Sequence, residues 1–334
     1  MNKLFQMLEK NVFLLADGAT GTNLFDMGLT SGMAPEIWNF DLPENILALH
    51  SSFIDAGSDI LVTNSFGASS RRLHLHNLED KVHEINARAA ELAIKAAKGA
   101  NRDILIAGSV GPTGDLFSPL GELAYEQAVE VFVEQMKGLK DGGADIAWIE
   151  TMSASEEIDA AIEAAIIVDI PYAVTVSFDT AGRSMMGLAP ADFATAMTQK
   201  SPKPSAIGSN CGVGASDLLF ALLDLTQSAD NIPVIAKANA GIPQVKGDAV
   251  VYSGSPDLME DYARLAIDTG ARIIGGCCGN SPEHVARMRK ALDNHSKGAK
   301  PTREELEAKL GALVAPPSTK TANDSGRRRR RSKK

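Results

Sequence analysis

Three cysteines are the first chemistry that this 334-residue chain offers. Two are adjacent, in Gly275-Gly276-Cys277-Cys278-Gly279, and the third stands in Asn210-Cys211-Gly212. A free cysteine is ordinarily a small buried hydrophobe. Here the neighbouring glycines permit tight turns that expose the sulfurs, and each motif closes an apolar, strand-sized run. Three thiolates with one open position match a catalytic zinc centre rather than a closed structural one. Such a Zn(II) site, one per chain, is net anionic. It suits holding an incoming thiol as an electron-rich thiolate better than making hydroxide from water. The expected chemistry is attack by a substrate sulfur on an electrophilic carbon.

Other strand ends carry candidate contacts. Asp17-Gly18-Ala19-Thr20-Gly21-Thr22 is glycine-rich, yet it lacks the lysine of a phosphate-binding loop and is no G-x-G-x-x-G fingerprint. Its backbone N–H groups are candidates for a carboxylate nest. Glu150, closing Trp148-Ile149-Glu150-Thr151, is the candidate for an ammonium group, and Asn210 for a polar substrate group or a turn cap. Together they describe a site for an α-amino acid bearing a thiol.

Positioning these residues requires strands that end on one face. Candidate strands fall at Val12–Ala16, Asp59–Asn64, Asp103–Val110, Asp145–Glu150, Tyr172–Phe178, Ala206–Asn210, Val234–Asn239 and Arg272–Gly276, with helix-sized segments between them. They read as continuous apolar runs, as parallel strands covered on both faces should. Three stretches share one grammar, a helix ending at glycine and then a buried strand: Asp55-Ala-Gly57-Ser-Asp59, Asp141-Gly-Gly143-Ala-Asp145 and Asp268-Thr-Gly270-Ala-Arg272. A doubly wound open sheet would show the same grammar, but eight units in about 295 residues predict a single (β/α)₈ TIM-type barrel. Active residues of such a barrel lie at the C-terminal strand ends, where all three cysteines fall. The barrel is assigned to residues 1–295. A helical extension follows over 296–314, in which Thr302 and Glu305 form a capping box. Residues 315–334 read as a disordered Arg/Lys-rich tail.

Composition excludes several classes. With 44% hydrophobic and 22% charged residues the chain is neither disordered nor a disulfide-stapled miniprotein. The apolar runs are too short to span a bilayer, and Glu9 and Lys10 interrupt the N-terminal segment before a signal-peptide core could form. The expected location is the cytoplasm, with no membrane partner. Seven of the 33 basic side chains lie in Arg327–Lys334, so the remainder has 26 basic against 42 acidic residues, a balance of −16. An acidic barrel is not expected to bind nucleic acid.

Assembled, these residues resemble the homocysteine S-methyltransferase family over roughly Val12 to Leu292, closest to its short bacterial betaine–homocysteine members. The signatures are Asp17–Thr22, Thr63-Asn64-Ser65-Phe66-Gly67, Gly111-Pro112-Thr113-Gly114, Ile149-Glu150-Thr151, Asn210-Cys211-Gly212 and Gly275–Gly279. The resemblance implies zinc on Cys211, Cys277 and Cys278. It also implies homocysteine held by Asp17, Gly18, Ala19, Glu150 and Asn210, with methyl transfer to its sulfur giving methionine. The donor that the resemblance puts first is betaine, leaving as dimethylglycine, with Trp38, Phe66 and Trp148 as candidate aromatic walls. Gly67 and Thr151 stand where vertebrate betaine enzymes have tyrosines. Those stretches look more like the homocysteine module of cobalamin-dependent methionine synthase, although no D-x-H-x-x-G signature is present. The alternatives are therefore the homocysteine component of a split synthase with a corrinoid-protein partner, or an S-methylmethionine-dependent enzyme. Outside the enzyme class stands a zinc- or thiol-sensing barrel. Homo-oligomers are compatible with the resemblance.

Overall fold

The computed structural model describes residues 2–246 and 249–314. Eight parallel strands form one sheet: β1 (Leu14–Leu15), β2 (Ile60–Val62), β3 (Leu105–Val110), β4 (Ile146–Met152), β5 (Tyr172–Val176), β6 (Ala206–Cys211), β7 (Val234–Ala238) and, after a two-stranded insertion, β10 (Ile273–Gly276). The order is β1-β10-β7-β6-β5-β4-β3-β2. A parallel bridge from Ala16 to Ile60 joins the two ends. Flanking it, Asp59 N donates to Leu15 O at 2.6 Å and Asp17 N to Ile60 O at 3.1 Å. The sheet is thus a TIM-type barrel, and the open-sheet alternative is excluded.

Strand alternation divides the apolar residues into two concentric cores. Leu15, Leu61, Ile106, Ala147, Val174, Ile207, Ala236 and Ile274 point outward and pack with the surrounding helices. Leu14, Ile60, Leu105, Ile146, Trp148, Ala206, Ile235 and Ile273 fill the interior. Both faces are covered, which is why the strands read as unbroken apolar runs.

Two elements escaped the sequence reading. A helix over Lys3–Lys10, capped by the Asn2 side chain on Phe5 N, buries Leu4, Met7 and Leu8 in the interior cluster. It closes the N-terminal end of the barrel, tied down by Lys3 to Asp145 at 2.7 Å and by Asn2 Nδ2 to Ser205 Oγ at 2.7 Å. The second element is an antiparallel hairpin, β8 (Pro243–Lys246) and β9 (Ala249–Tyr252), inserted after β7.

Beyond the barrel, the helix Arg303–Leu310 begins with the Thr302–Glu305 capping box and buries Leu306 and Leu310 against the outer core. No helix among the described residues is long and apolar enough to cross a membrane. The assignment of a disordered tail to 315–334 lies outside the described residues.

The plugging helix yields a test. Leu4→Ala removes a side chain 1% exposed in the interior core, and should lower the unfolding free energy by about 2–5 kcal/mol. Urea unfolding measures it; an unchanged midpoint would show that the helix is not part of the core.

Candidate functional site

Continuing the inward alternation one position past the apolar layer reaches Ser109 on β3, Glu150 on β4, Thr175 on β5, Asn210 on β6, Lys237 on β7 and Cys277 just beyond β10. The barrel therefore changes from an apolar interior to a polar ring at its C-terminal mouth, and hydrogen bonds link the ring. Ser109 Oγ donates to Glu150 Oε1 at 2.5 Å. Thr175 Oγ1 donates to Asn210 Oδ1 at 2.7 Å.

The sulfurs of Cys211, Cys277 and Cys278 lie within 4.8 Å of one another at this mouth, with Cys211 and Cys278 4.0 Å apart. The cysteine turn is built by Asn280, whose Nδ2 donates to Ala238 O at 2.9 Å and Cys277 O at 3.0 Å. Asn280 also dictates two glycines. A Cβ on Gly276 would fall 2.4 Å from the Asn280 side chain, and one on Gly18 would fall 2.5 Å from Asn280 O. Three thiols this close cannot all ionise unaided. Hydrogen bonds from Cys211 and Cys277 hold Cys278 well below the ordinary thiol range, and contacts with Cys277 first and Cys278 second push Cys211 far up.

Asn210 clamps the neighbouring strand ends. Its Oδ1 also accepts from Thr151 N at 2.8 Å, and its Nδ2 donates to Thr151 Oγ1 at 2.7 Å and reaches Cys277 Sγ at 3.8 Å. Both lone pairs and both protons are thereby engaged by protein. Asn210 thus orders Thr151 and Cys277, the turn-capping role that the sequence also allowed it. Thr151 and Cys211 both sit in the left-handed region, with φ of 62° and 61°, and Thr151 lies where the β4–β5 register shifts.

Glu150 is 7% exposed, and burial raises its carboxyl to about 7, opposed by Lys237 and reinforced by Cys277. Asp17 is also buried. Its Oδ2 accepts from Val62 N at 2.7 Å, and its Oδ1 pairs with Lys237 Nζ at 2.9 Å. Lys237, at 2% exposure, was missed by sequence reasoning. Its signal was available: a lone lysine inside the apolar run Val234-Ile-Ala-Lys237-Ala, two residues beyond an inward-facing isoleucine. Asn239, also missed, donates from Nδ2 to Gly212 O at 2.7 Å, while its buried Oδ1 has no partner.

The three proposed wall aromatics are not together. Trp148 is fully buried in the barrel interior and Trp38 is 4% exposed in the outer core; Phe66 alone is open, at 40%. Packing explains the two tryptophans: Trp148 occupies an inward strand position one layer below Glu150.

Comparison with known proteins bears on the fold and the family. Escherichia coli homocysteine methyltransferase MmuM superposes in its metallated form with a TM-score of 0.74 and 24% identity, covering 86% of this chain and 99% of that one. Its apo form gives 0.68 and 23%, covering 87% and 100%. At these identities the likeness speaks for the fold. Methionine synthase of Mycobacterium leprae is 29% identical over 318 residues, covering 90% of this chain and 26% of that protein. That of Mycobacterium tuberculosis is 29% identical over 308 residues, covering 87% and 25%. The chain thus spans about a quarter of the length of these relatives. The family model for homocysteine S-methyltransferase matches residues 14–292, and the chain belongs to that family.

Proposed function

We propose that this protein is a zinc-dependent homocysteine S-methyltransferase that forms methionine. The observation that carries the reading is the convergence of Cys211, Cys277 and Cys278 on one point at the barrel mouth. The residues fit the metal: three thiols of the kind zinc prefers, with ligand atoms within 4.8 Å of one another. When bound, zinc would hold the homocysteine sulfur as a thiolate at neutral pH. That sulfur attacks the donor methyl carbon; an S–CH₃ bond forms as the bond from methyl to its carrier breaks and the electron pair leaves with the carrier. Glu150 binds the substrate ammonium, and the clamp of Asn210 on Thr151 and Cys277 holds the ligands in place.

For the donor, burial of Trp38 and Trp148 leaves Phe66 as the one open member of the three aromatics read from the sequence, while the half-buried Tyr252, hydrogen-bonded to Cys278, is a further aromatic at the mouth. A methyl group borne by a corrinoid partner is supported by two observations. The curated relatives are methionine synthases, and exposed apolar side chains gather on the loops that follow β3, β5 and β7. These are Leu116, Leu120, Met185, Met186 and Ile242, and exposed apolar groups on one rim suit a protein partner. We therefore put the corrinoid-borne methyl first. Betaine is second, since its neutral amine leaves without a general acid, and S-methylmethionine is third.

Methionine formation by the zinc-loaded protein, with homocysteine and one donor at a time, separates these. Turnover with methylcobalamin and none with betaine is expected. Turnover with betaine alone and no second protein would reverse the order, and bound zinc with no turnover from any donor would favour a thiol sensor. Cys211→Ala, Cys277→Ala and Cys278→Ala should each lose zinc while circular dichroism shows an intact barrel; stoichiometric zinc in the triple variant would refute the site.

Glu150 gives a pH dependence with a defined sign. Its ionised form, which binds ammonium, prevails above about 7. The KM for homocysteine should therefore rise as pH falls through that value, and Glu150→Gln should flatten this limb of the profile. An unchanged profile in the variant would remove the role.

A further inference from the structure

The sequence places the substrate carboxylate on backbone N–H groups of the Asp17–Ala19 turn, but two of these are engaged. Asp17 N donates to Ile60 O at 3.1 Å and Ala19 N to Asn280 O at 3.0 Å. Of the three, Gly18 N alone has no acceptor among the described residues, so the turn offers one donor rather than a nest unless a barrel bond or the Asn280 contact breaks. Another donor lies beside it. Lys237 reaches the polar ring from β7, 2% exposed, and an ammonium carries three donors. Among the described residues its only hydrogen-bond acceptor is Asp17 Oδ1 at 2.9 Å.

A buried cation with unused donors is costly. Burial alone would favour the neutral amine, yet Asp17 and Glu150 together hold the group above its ordinary value, so it remains an ammonium. Two charge-bearing donors thus stay without a protein acceptor in the same ring as Glu150 and Cys277. Glu150, for its part, has one oxygen engaged by Ser109, and its second oxygen accepts no hydrogen bond among the described residues. The ring offers a matched pair of vacancies, donors on Lys237 and an acceptor on Glu150, which is the complement of a zwitterion.

We propose that Lys237 is the anchor for the α-carboxylate of the thiol substrate, with Asp17 holding its ammonium in place and Glu150 taking the substrate ammonium. The inference rests on the reading of homocysteine as acceptor and deepens it. Lys237 is then a specificity residue: it selects amino-acid thiols over simple aminothiols, for which a buried ammonium would keep its unpaired donors. Without it, Asp17 and Glu150 would present two carboxylates to the substrate and favour cationic aminothiols.

The test compares two ligands in two proteins. L-homocysteine and 3-aminopropane-1-thiol share thiol, chain length and amine and differ in the carboxylate. Their binding to the zinc-loaded full chain is read by titration calorimetry, for the wild type and for Lys237→Met. The selectivity for homocysteine over the decarboxylated thiol should fall by about 10–100-fold in the variant, the range of one charge-assisted hydrogen-bonded contact. Equal losses for both ligands, or an unchanged selectivity, would overturn the proposal. Because Lys237→Met leaves Asp17 buried without its counter-ion, the same ratio is read in Asp17→Asn/Lys237→Met, which removes both charges. A wild-type protein that binds neither thiol would instead defeat the homocysteine reading itself.

Discussion

Everything at the mouth depends on closure of the barrel in one register. Eight parallel strands joined end to end leave each strand a fixed inward set, and a slip of one residue would turn that set outward. The pairings Asn210 to Lys237 and Lys237 to Gly275 put β6, β7 and β10 in the one alignment that brings Asn210, Lys237 and Cys277 to the same height. The weakest seam is β1 to β2, with a single bridge. There the buried Asp17 carboxylate bonds Val62 N across the seam, so a residue at the site also helps to close the fold.

On that frame, two asparagines shape the cysteine cluster. Asn280 folds the Cys277–Cys278 turn and fixes its spacing from the Asp17 turn, which accepts only glycine at position 18 because Asn280 O is so close. Asn210 holds Thr151 in a left-handed conformation, and Cys211 follows in another. For non-glycine residues such geometry costs about 1–3 kcal/mol each. That cost is tolerated where surrounding bonds over-determine the backbone, and two of the four contacts of Asn210 supply that at Thr151.

How much was legible in the sequence follows from the range of the interactions. Strands such as Ala206–Asn210 and Val234–Asn239 were visible because burial on both faces leaves an unbroken apolar run. The turns at Gly57, Gly143 and Gly270 were visible because left-handed caps select glycine. The cysteines were read as one site because all three close predicted strands at the same end of the barrel. By contrast, the helix Lys3–Lys10 is short and its partner is the barrel's interior, a surface that exists only after closure. The full engagement of Asn210 was invisible for a related reason. Its partners Thr151, Thr175 and Cys277 lie 59, 35 and 67 residues away. The aromatic candidates were chosen by type alone, and type does not distinguish Trp148, facing the interior, from Phe66 at the rim.

Lys237 shows most clearly what alternation can and cannot reveal. A charged residue inside an apolar strand implies a partner, but nothing local names Asp17, 220 residues earlier. The apolar layer beneath the ring, Trp148 among it, is what gives the pair its strength: with little solvent below, the field of each charge is poorly screened. The same desolvation lifts Glu150 to about 7 while Lys237 pulls it back. The mouth therefore combines a buried Asp17–Lys237 pair, in which burial raises the Asp17 carboxyl and Lys237 opposes that rise, with a second carboxylate poised near neutrality. On the proposed reading, a zwitterionic amino acid would complete that ring, offering a cation to Glu150 and a second acceptor to Lys237 beside Asp17, with its side chain free to extend a sulfur toward the three cysteines.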